Sequence, residues 1–183
     1  LLRPYVFVFL VIFLVIASIN LGLIRTLIFT TIAFTIAFLS EYSSTRNGFP
    51  YGLYSYIDTT QNQEFWIAGI PFFDPLSFSF LAYISYSMSL LLWSRLDKRG
   101  WDIRLVEEKS LWRSWKVILS GAILFMFMDV IIDPVAYLGD RWFLGKIYTY
   151  AEKGEYFNIS LSNFGGWFLV GLVILFLYTR FEL

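Results

Sequence analysis

Five long apolar runs, separated by polar segments, account for most of the chain. They cover residues 4–23, 26–40, 75–94, 117–138 and 164–179. Runs of about twenty apolar residues match a hydrocarbon core about 30 Å thick, although the second run is slightly short. The pattern predicts an all-α, polytopic transmembrane bundle of about five helices that forms a single integral-membrane domain over residues 1–183.

Two long polar segments, residues 42–74 and 139–162, follow the second and fourth runs. Long segments without regular structure are uncommon inside a compact domain and are often functional. Because consecutive spanning helices alternate in direction, both segments fall on the same side of the bundle. Glu41, at the predicted end of the second helix, and the C-terminal half of the fourth helix lie on that side too. We therefore expect polar residues to converge at one end of the bundle.

Composition supports a membrane protein and removes several kinds of chemistry. Hydrophobic residues make up 58% of the chain and charged residues 15%, whereas soluble domains are roughly a quarter charged. Fourteen basic residues balance fourteen acidic ones, which argues against a nucleic-acid partner. The sequence contains no Cys and no His, so disulfides, thiolate nucleophiles, imidazole bases and Cys/His metal sites are excluded. We expect no metal site, and any proton transfer must use carboxylates, tyrosines or water.

Basic residues are distributed unequally between the two predicted sides. One side has nine basic residues, which are the seven of the connector 95–116, Arg25 and Arg180. The other side has five. Cytoplasmic loops carry an excess of Lys and Arg, so we expect a cytoplasmic connector and an outward N-terminus. Because the first residue is Leu, we also expect the true start of the chain to lie outside this sequence.

Two aspartates in the fourth helix are the main candidates for chemistry. Asp129 and Asp133 are four residues apart, so they share a helix face. A charge inside a bilayer costs at least a few kcal/mol, so such residues normally face a protein interior or a water-filled cavity. Burial and mutual repulsion favour the neutral acid, which can donate a proton. The alternative is a structural role, with pairing to Arg46, to Arg141 or to a backbone group freed by Pro134.

Other polar and aromatic residues are candidates of lower rank. Glu41 is either a site carboxylate or an exposed carboxylate at the membrane interface. Most tyrosines and tryptophans near helix ends are expected to form an interfacial belt. A belt explains less well the tyrosines clustered within the first polar segment, which are Tyr51, Tyr54 and Tyr56.

Two further residues stand at predicted helix starts. Asp74 precedes Pro75, which suits a first helical turn, and Asn163 precedes the last run. Both residue types cap helices well, so we expect both to act as N-caps. Gly166 and Gly171 are expected to allow close packing of the last helix.

Several motifs in and around the polar segments carry a family resemblance. Glu41 is followed by TRNGFPYGLYSY and AGIPFFDPLSF, and then by MDVIIDPVAYLGDRWF and GEYFNISLSNFGGWF. In this order they resemble an integral-membrane family of carotenoid biosynthesis proteins, over about residues 41–170. Members with assigned activity are carotenoid hydratases, such as γ-carotene 1′-hydratase and bisanhydrobacterioruberin hydratase. They add water to the terminal C=C bond of an acyclic carotenoid end and give a tertiary alcohol.

The resemblance implies a hydratase in a prokaryotic cell membrane, acting on an acyclic carotenoid or another long isoprenoid in the lipid bilayer. Alkene hydration needs an acid, a bound water and surfaces that stabilise a carbocation, and no redox cofactor. Asp129 or Asp133 would be the acid, and Glu41 with the other aspartate would position water. The residues expected to bind the end group are Tyr54, Tyr56, Trp142, Asn163 and Trp167.

The chain also departs from those hydratases. It is shorter, so we expect it to lack one or more helices and to need a second subunit, either another copy or a partner, or to form only part of a carotenoid groove. The segment NISLSN replaces the more usual Gly-(Ile/Val)-Pro-x-x-Asn, and the missing proline predicts a relaxed loop.

Two other functions stay open. One is a non-catalytic carotenoid-binding or isoprenoid-binding membrane protein or subunit, in which the aspartates pair helices. The other is a transporter or channel subunit, which intramembrane acids alone would allow, although no internal repeat supports it. A retinal pigment is disfavoured, because no lysine lies deep within a predicted helix.

Overall fold

The computed structural model describes residues 4–58, 61, 64–106, 108–139 and 146–181. Its helices are α1 (Pro4–Leu21), α2 (Leu23–Asn47), α3 (Phe73–Trp93), the short α4 (Lys109–Trp112), α5 (Trp115–Tyr137) and α6 (Leu161–Phe181). Within these described ranges, five helices are long and apolar enough to cross a membrane, all except α4. The predicted all-α, polytopic bundle is confirmed, and the chain is an integral membrane protein.

Several helix ends differ from the predicted ones, and three of these differences move a candidate residue. Helix α2 continues to Asn47 and ends at Gly48, whose φ of 83° is the left-handed conformation that suits glycine. Glu41 therefore lies within the helix and not at its end. Helix α3 begins at Phe73 and α6 at Leu161, so Asp74 and Asn163 lie in first helical turns. The prediction that these two residues are N-caps is wrong.

Helix α3 occupies the centre of the bundle, because it packs on each of the other four long helices. Among the described residues, α1 packs mainly on α2 and α3, whereas α5 packs mainly on α3 and α6. Aromatic rings fill the interior, with centroids 4.7 Å apart for Phe29 and Tyr178 and 5.3 Å apart for Phe13 and Tyr83. Edge-on and tilted pairs of this kind add to the stabilisation that burial provides.

Small residues allow the helices to approach closely. A Cβ added at Gly171 of α6 would lie 2.7 Å from the ring of Phe125 on α5, which confirms the packing role expected of this glycine. Gly166 packs elsewhere, since a Cβ there would meet the Tyr51 ring and the Pro50 carbonyl. It therefore seats the first polar segment against the start of α6.

The polar segments are folded rather than structureless. Strand β1 (Tyr54–Tyr56) of the first segment pairs antiparallel with β6 (Tyr148–Tyr150) of the second. The first segment also contains the hairpin β2 (Trp66–Ile67) and β3 (Ile70–Pro71). The β1–β6 pair joins the two segments at one end of the bundle, which confirms their predicted convergence.

Two other connections form compact structure. The charged connector folds at the opposite end as the hairpin β4 (Arg95–Arg99) and β5 (Asp102–Val106), followed by α4. The segment before α6 is not relaxed, contrary to prediction. It forms the antiparallel bridges Gly154–Asn158 and Tyr156–Ile159, and Ile159 is buried.

Candidate functional site

An aspartate pair on α5 is joined to α6 by one asparagine. Nδ2 of Asn163 donates to Oδ2 of Asp129 at 2.6 Å and to Oδ2 of Asp133 at 2.9 Å. A side-chain amide has two N–H donors, and here each serves a different carboxyl group. Asp129 is 1% and Asn163 3% exposed, so bulk water has little access to their bond, whereas Asp133 is half-buried. The two carboxyl groups are thereby held side by side.

Sequence reasoning missed the linking role of Asn163. Its position before an apolar run indicated a helix cap, and nothing in its spacing from the aspartates marks a contact between α5 and α6. The clue was chemical, because a buried pair of acids needs a nearby hydrogen-bond donor. A sequence does not say which donor faces the pair.

A cavity of about 540 Å³ lies at this end of the bundle, against the aspartate pair. Its wall includes the ends of all five long helices and both strands of the β1–β6 pair. Most of the wall is aromatic or aliphatic. Four acidic side chains line it, and no Lys or Arg does among the residues described. These four residues are Glu41, Asp74, Asp129 and Asp133.

Glu41 belongs to this cavity and not to the membrane interface. It is 3% exposed, and its Oε2 accepts a hydrogen bond of 2.9 Å from the hydroxyl of Tyr56. Ser40 precedes Glu41 in α2, and its hydroxyl lies 2.9 Å from that of Tyr51. The structure thus brings Glu41 to the same cavity as the aspartate pair, and the alternative of an exposed carboxylate is wrong.

Four tyrosines from the β1–β6 pair form one wall. Tyr54 packs edge-on against Tyr56, Tyr148 and Tyr150, with centroids 5.5 to 6.0 Å apart. Burial raises the pKa of Tyr54 and Tyr56, and the nearby Glu41 raises it further. Burial and then Asp133 raise the pKa of Tyr148 and Tyr150. These phenols therefore stay neutral and able to donate hydrogen bonds at physiological pH.

Sequence reasoning identified Tyr54 and Tyr56 but missed Tyr148 and Tyr150. A signal was present, because the segments YSY and YTY repeat the same Tyr-x-Tyr alternation in the two polar segments. Alternation places both tyrosines of each strand on one face. Tyr54 pairs with Tyr150 and Tyr56 with Tyr148, so all four tyrosines lie on the same face of the two-stranded sheet.

The indole of Trp167 forms another part of the wall. Its ring stacks on Phe78, with centroids 4.4 Å apart and planes 19° apart, and contacts Phe125 at 4.7 Å. This packing holds the indole, which lines the cavity, in one orientation. Trp142, the other tryptophan predicted to line the pocket, lies outside the described residues.

The proposed ion pairs of the aspartates are not observed in the described part of the chain. Arg46 donates instead to the carbonyls of Tyr42 and Ala68 and stacks over the Tyr42 ring. Arg141 lies outside the described residues. Within the described ranges, no group of three or more acidic residues is arranged to hold a metal ion.

Comparison with known proteins places the chain in a family. A family model described as "Carotenoid biosynthesis protein" matches residues 2–182. Searches of curated proteins and of solved structures find no match. The match extends the resemblance seen in the polar segments to both ends of the chain, including the α1 side of the cavity. The chain therefore belongs to the carotenoid biosynthesis protein family, as an integral membrane protein with a role in carotenoid biosynthesis.

Proposed function

We propose that this protein is a carotenoid hydratase, which adds water to the terminal C=C bond of an acyclic carotenoid end. The observation that carries the proposal is the aspartate pair, held by Asn163 against an aromatic cavity that contains acidic side chains and no described basic one. This combination supplies what alkene hydration requires, namely an acid beside an apolar pocket.

The acid of the proposed reaction is the aspartate pair acting as a unit. No described Lys or Arg lines the cavity beside these two adjacent carboxylates, so they would be costly to ionise together. Oδ1 of Asp129 is buried and accepts no hydrogen bond from the described residues, so a proton shared with Asp133 would satisfy it. Asp133 is only half-buried, and in our proposal it is the member that meets the substrate.

Proton transfer to the less substituted alkene carbon forms a C–H bond and leaves a tertiary carbocation. The aromatic rings of Trp167 and Tyr54, two residues that line the cavity, would stabilise this cation. Glu41, oriented by Tyr56, would position the attacking water. The water forms the C–O bond and its extra proton returns to the aspartate pair. Alkene and water thus give a tertiary alcohol with no change in oxidation state, and the acid is regenerated.

The proposal extends to membrane orientation. The β4–β5 hairpin and α4 contain most of the basic residues on one side of the bundle, which favours a cytoplasmic position. The cavity would then open near the opposite face of the membrane. Because the chain has no Cys, the variants Lys98→Cys and Asn158→Cys can each be tested for thiol labelling from outside intact cells. Labelling is expected for Asn158→Cys only.

The decisive experiment is direct conversion of an acyclic carotene by the purified protein in ¹⁸O-labelled water. We expect a product heavier by one labelled water, identified by mass spectrometry. As a matched control, Asp97→Asn removes an acid from β4, at the far end of the bundle, and should leave conversion unchanged. A folded preparation that binds the carotene and forms no such product would refute the hydratase and favour the non-catalytic carotenoid-binding protein.

A further inference from the structure

Whereas a carotenoid is a long, stiff molecule, the cavity lies at one end of the bundle. Its volume of about 540 Å³ lies within the roughly 300–1,000 Å³ typical of pockets that enclose drug-sized ligands. It suits one end of a carotenoid, while the long conjugated chain must leave the cavity. The path of that chain depends on where the wall of the cavity opens.

The wall opens towards the lipid between α1 and α5. Phe9 on α1 and Ile132 on α5 both line the cavity, yet they are 49% and 39% exposed. The described parts of these two helices pack mainly on other neighbours, and both flank α3. Helix α3, which packs on all four other long helices, therefore forms the floor of a furrow between α1 and α5.

A stripe of α3 side chains leads from the cavity along this furrow. Ser77 and Leu81 line the cavity, and at the following three- and four-residue steps Ile84, Met88 and Leu91 are 42%, 48% and 53% exposed. Residues at such spacing share one helix face. From Ser77 to Leu91 the stripe rises about 21 Å at 1.5 Å per residue. It contains no charged residue.

We propose that this furrow binds the polyene chain of the carotenoid whose end occupies the cavity. The proposal rests on the proposed function for the choice of occupant, and on the continuity of the stripe with the cavity for the site. An apolar chain would enter sideways from the bilayer and lie along α3. Its end would then reach the aspartate pair without crossing the polar segments.

Spin labels test this furrow without relying on turnover. The protein has no native Cys, so Met88→Cys carries a nitroxide in the furrow. The matched control is Leu27→Cys on α2, where the native side chain is 52% exposed compared with 48% for Met88. In vesicles, addition of an acyclic carotene should lower the oxygen accessibility of the label at residue 88 and leave the label at residue 27 unchanged.

The outcomes separate this proposal from the hydratase. Shielding at residue 88 without any hydrated product would support the furrow and refute the hydratase. Hydration with no change at residue 88 would refute the furrow and leave the hydratase standing. A label at residue 88 that is already shielded before carotene is added would assign the furrow to a second copy or another chain, and would also overturn the proposal.

A blocking variant gives a second, functional test. Ile84→Trp narrows the furrow outside the cavity, and Leu27→Trp is its control. We expect Ile84→Trp to weaken carotene binding at least about tenfold, equivalent to about 1.4 kcal/mol, with the carotene followed by its visible absorption. Unchanged binding in a folded Ile84→Trp protein would overturn the proposal.

Discussion

Replacement of Asn163 by Leu removes the two hydrogen bonds that hold the aspartate pair and keeps a side chain of similar size. Both bonds are buried and short, at 2.6 and 2.9 Å. Hydrogen bonds between membrane helices average about 0.6 kcal/mol and reach about 1.7 kcal/mol, and bonds to charged groups are the stronger ones. We therefore expect Asn163→Leu to lower the free energy of unfolding by about 1–3 kcal/mol.

The assay is equilibrium unfolding in mixed micelles, followed by a double-mutant cycle. The control Asn20→Leu removes an interhelical bond of 3.0 Å to the Tyr83 hydroxyl, remote from the cavity. It should cost about 0.6 kcal/mol, the average for such a bond, and leave conversion of carotene unchanged, whereas Asn163→Leu should lower kcat.

The cycle combines Asn163→Leu with Asp129→Asn. A coupling energy of about 0.5 kcal/mol or more is expected, because the two residues are in direct contact. If Asn163→Leu matched the wild-type protein in both stability and turnover, the pair would not depend on this amide and our account of the acid would be wrong.

Three further predictions concern the aspartate pair and the groups around it. Asp129→Asn and Asp133→Asn should each preserve folding, and at least one should lower kcat by about 10²–10⁴-fold; two fully active variants would exclude the pair as the acid. Glu41→Gln should lower turnover more than it lowers expression, and Tyr56→Phe should have a smaller effect of the same kind; equal losses of turnover and expression would indicate a structural role. The raised pKa of the four β1–β6 tyrosines means that the folded protein holds their protons more tightly than the unfolded chain. Their contribution to stability is present below the ordinary tyrosine pKa of about 10 and is lost as pH rises above it, so phenolate absorbance should show these four ionising only when the protein unfolds.

The helices and their alternation could be predicted because the bilayer requires long apolar spans. That requirement also placed the two polar segments on one side. It does not fix helix ends where polar residues continue a helix, as in the last turns of α2, where Thr45 bonds back to the carbonyl of Glu41. With the extension to Asn47, Glu41 lies within the helix and is buried, whereas the sequence left open whether it was a site carboxylate or an exposed one at the membrane interface.

The aspartates could be identified from the sequence because acids are rare in spanning helices. Their partner could not, because the contact with Asn163 depends on how α5 and α6 are rotated against each other. The position of Tyr56 opposite Tyr148 likewise depends on the pairing of two strands that are more than ninety residues apart in the sequence. Both features arise from tertiary packing, which local periodicity does not encode.

The central claim is that the aspartate pair protonates a carbon of the terminal alkene. Conversion of an acyclic carotene in deuterated water tests it most directly, because the transferred proton becomes a carbon-bound deuterium that does not exchange. We predict one such deuterium in the product of the wild-type protein and no product from a folded Asp129→Asn/Asp133→Asn variant. Equal yields of deuterated product from both proteins would contradict the claim.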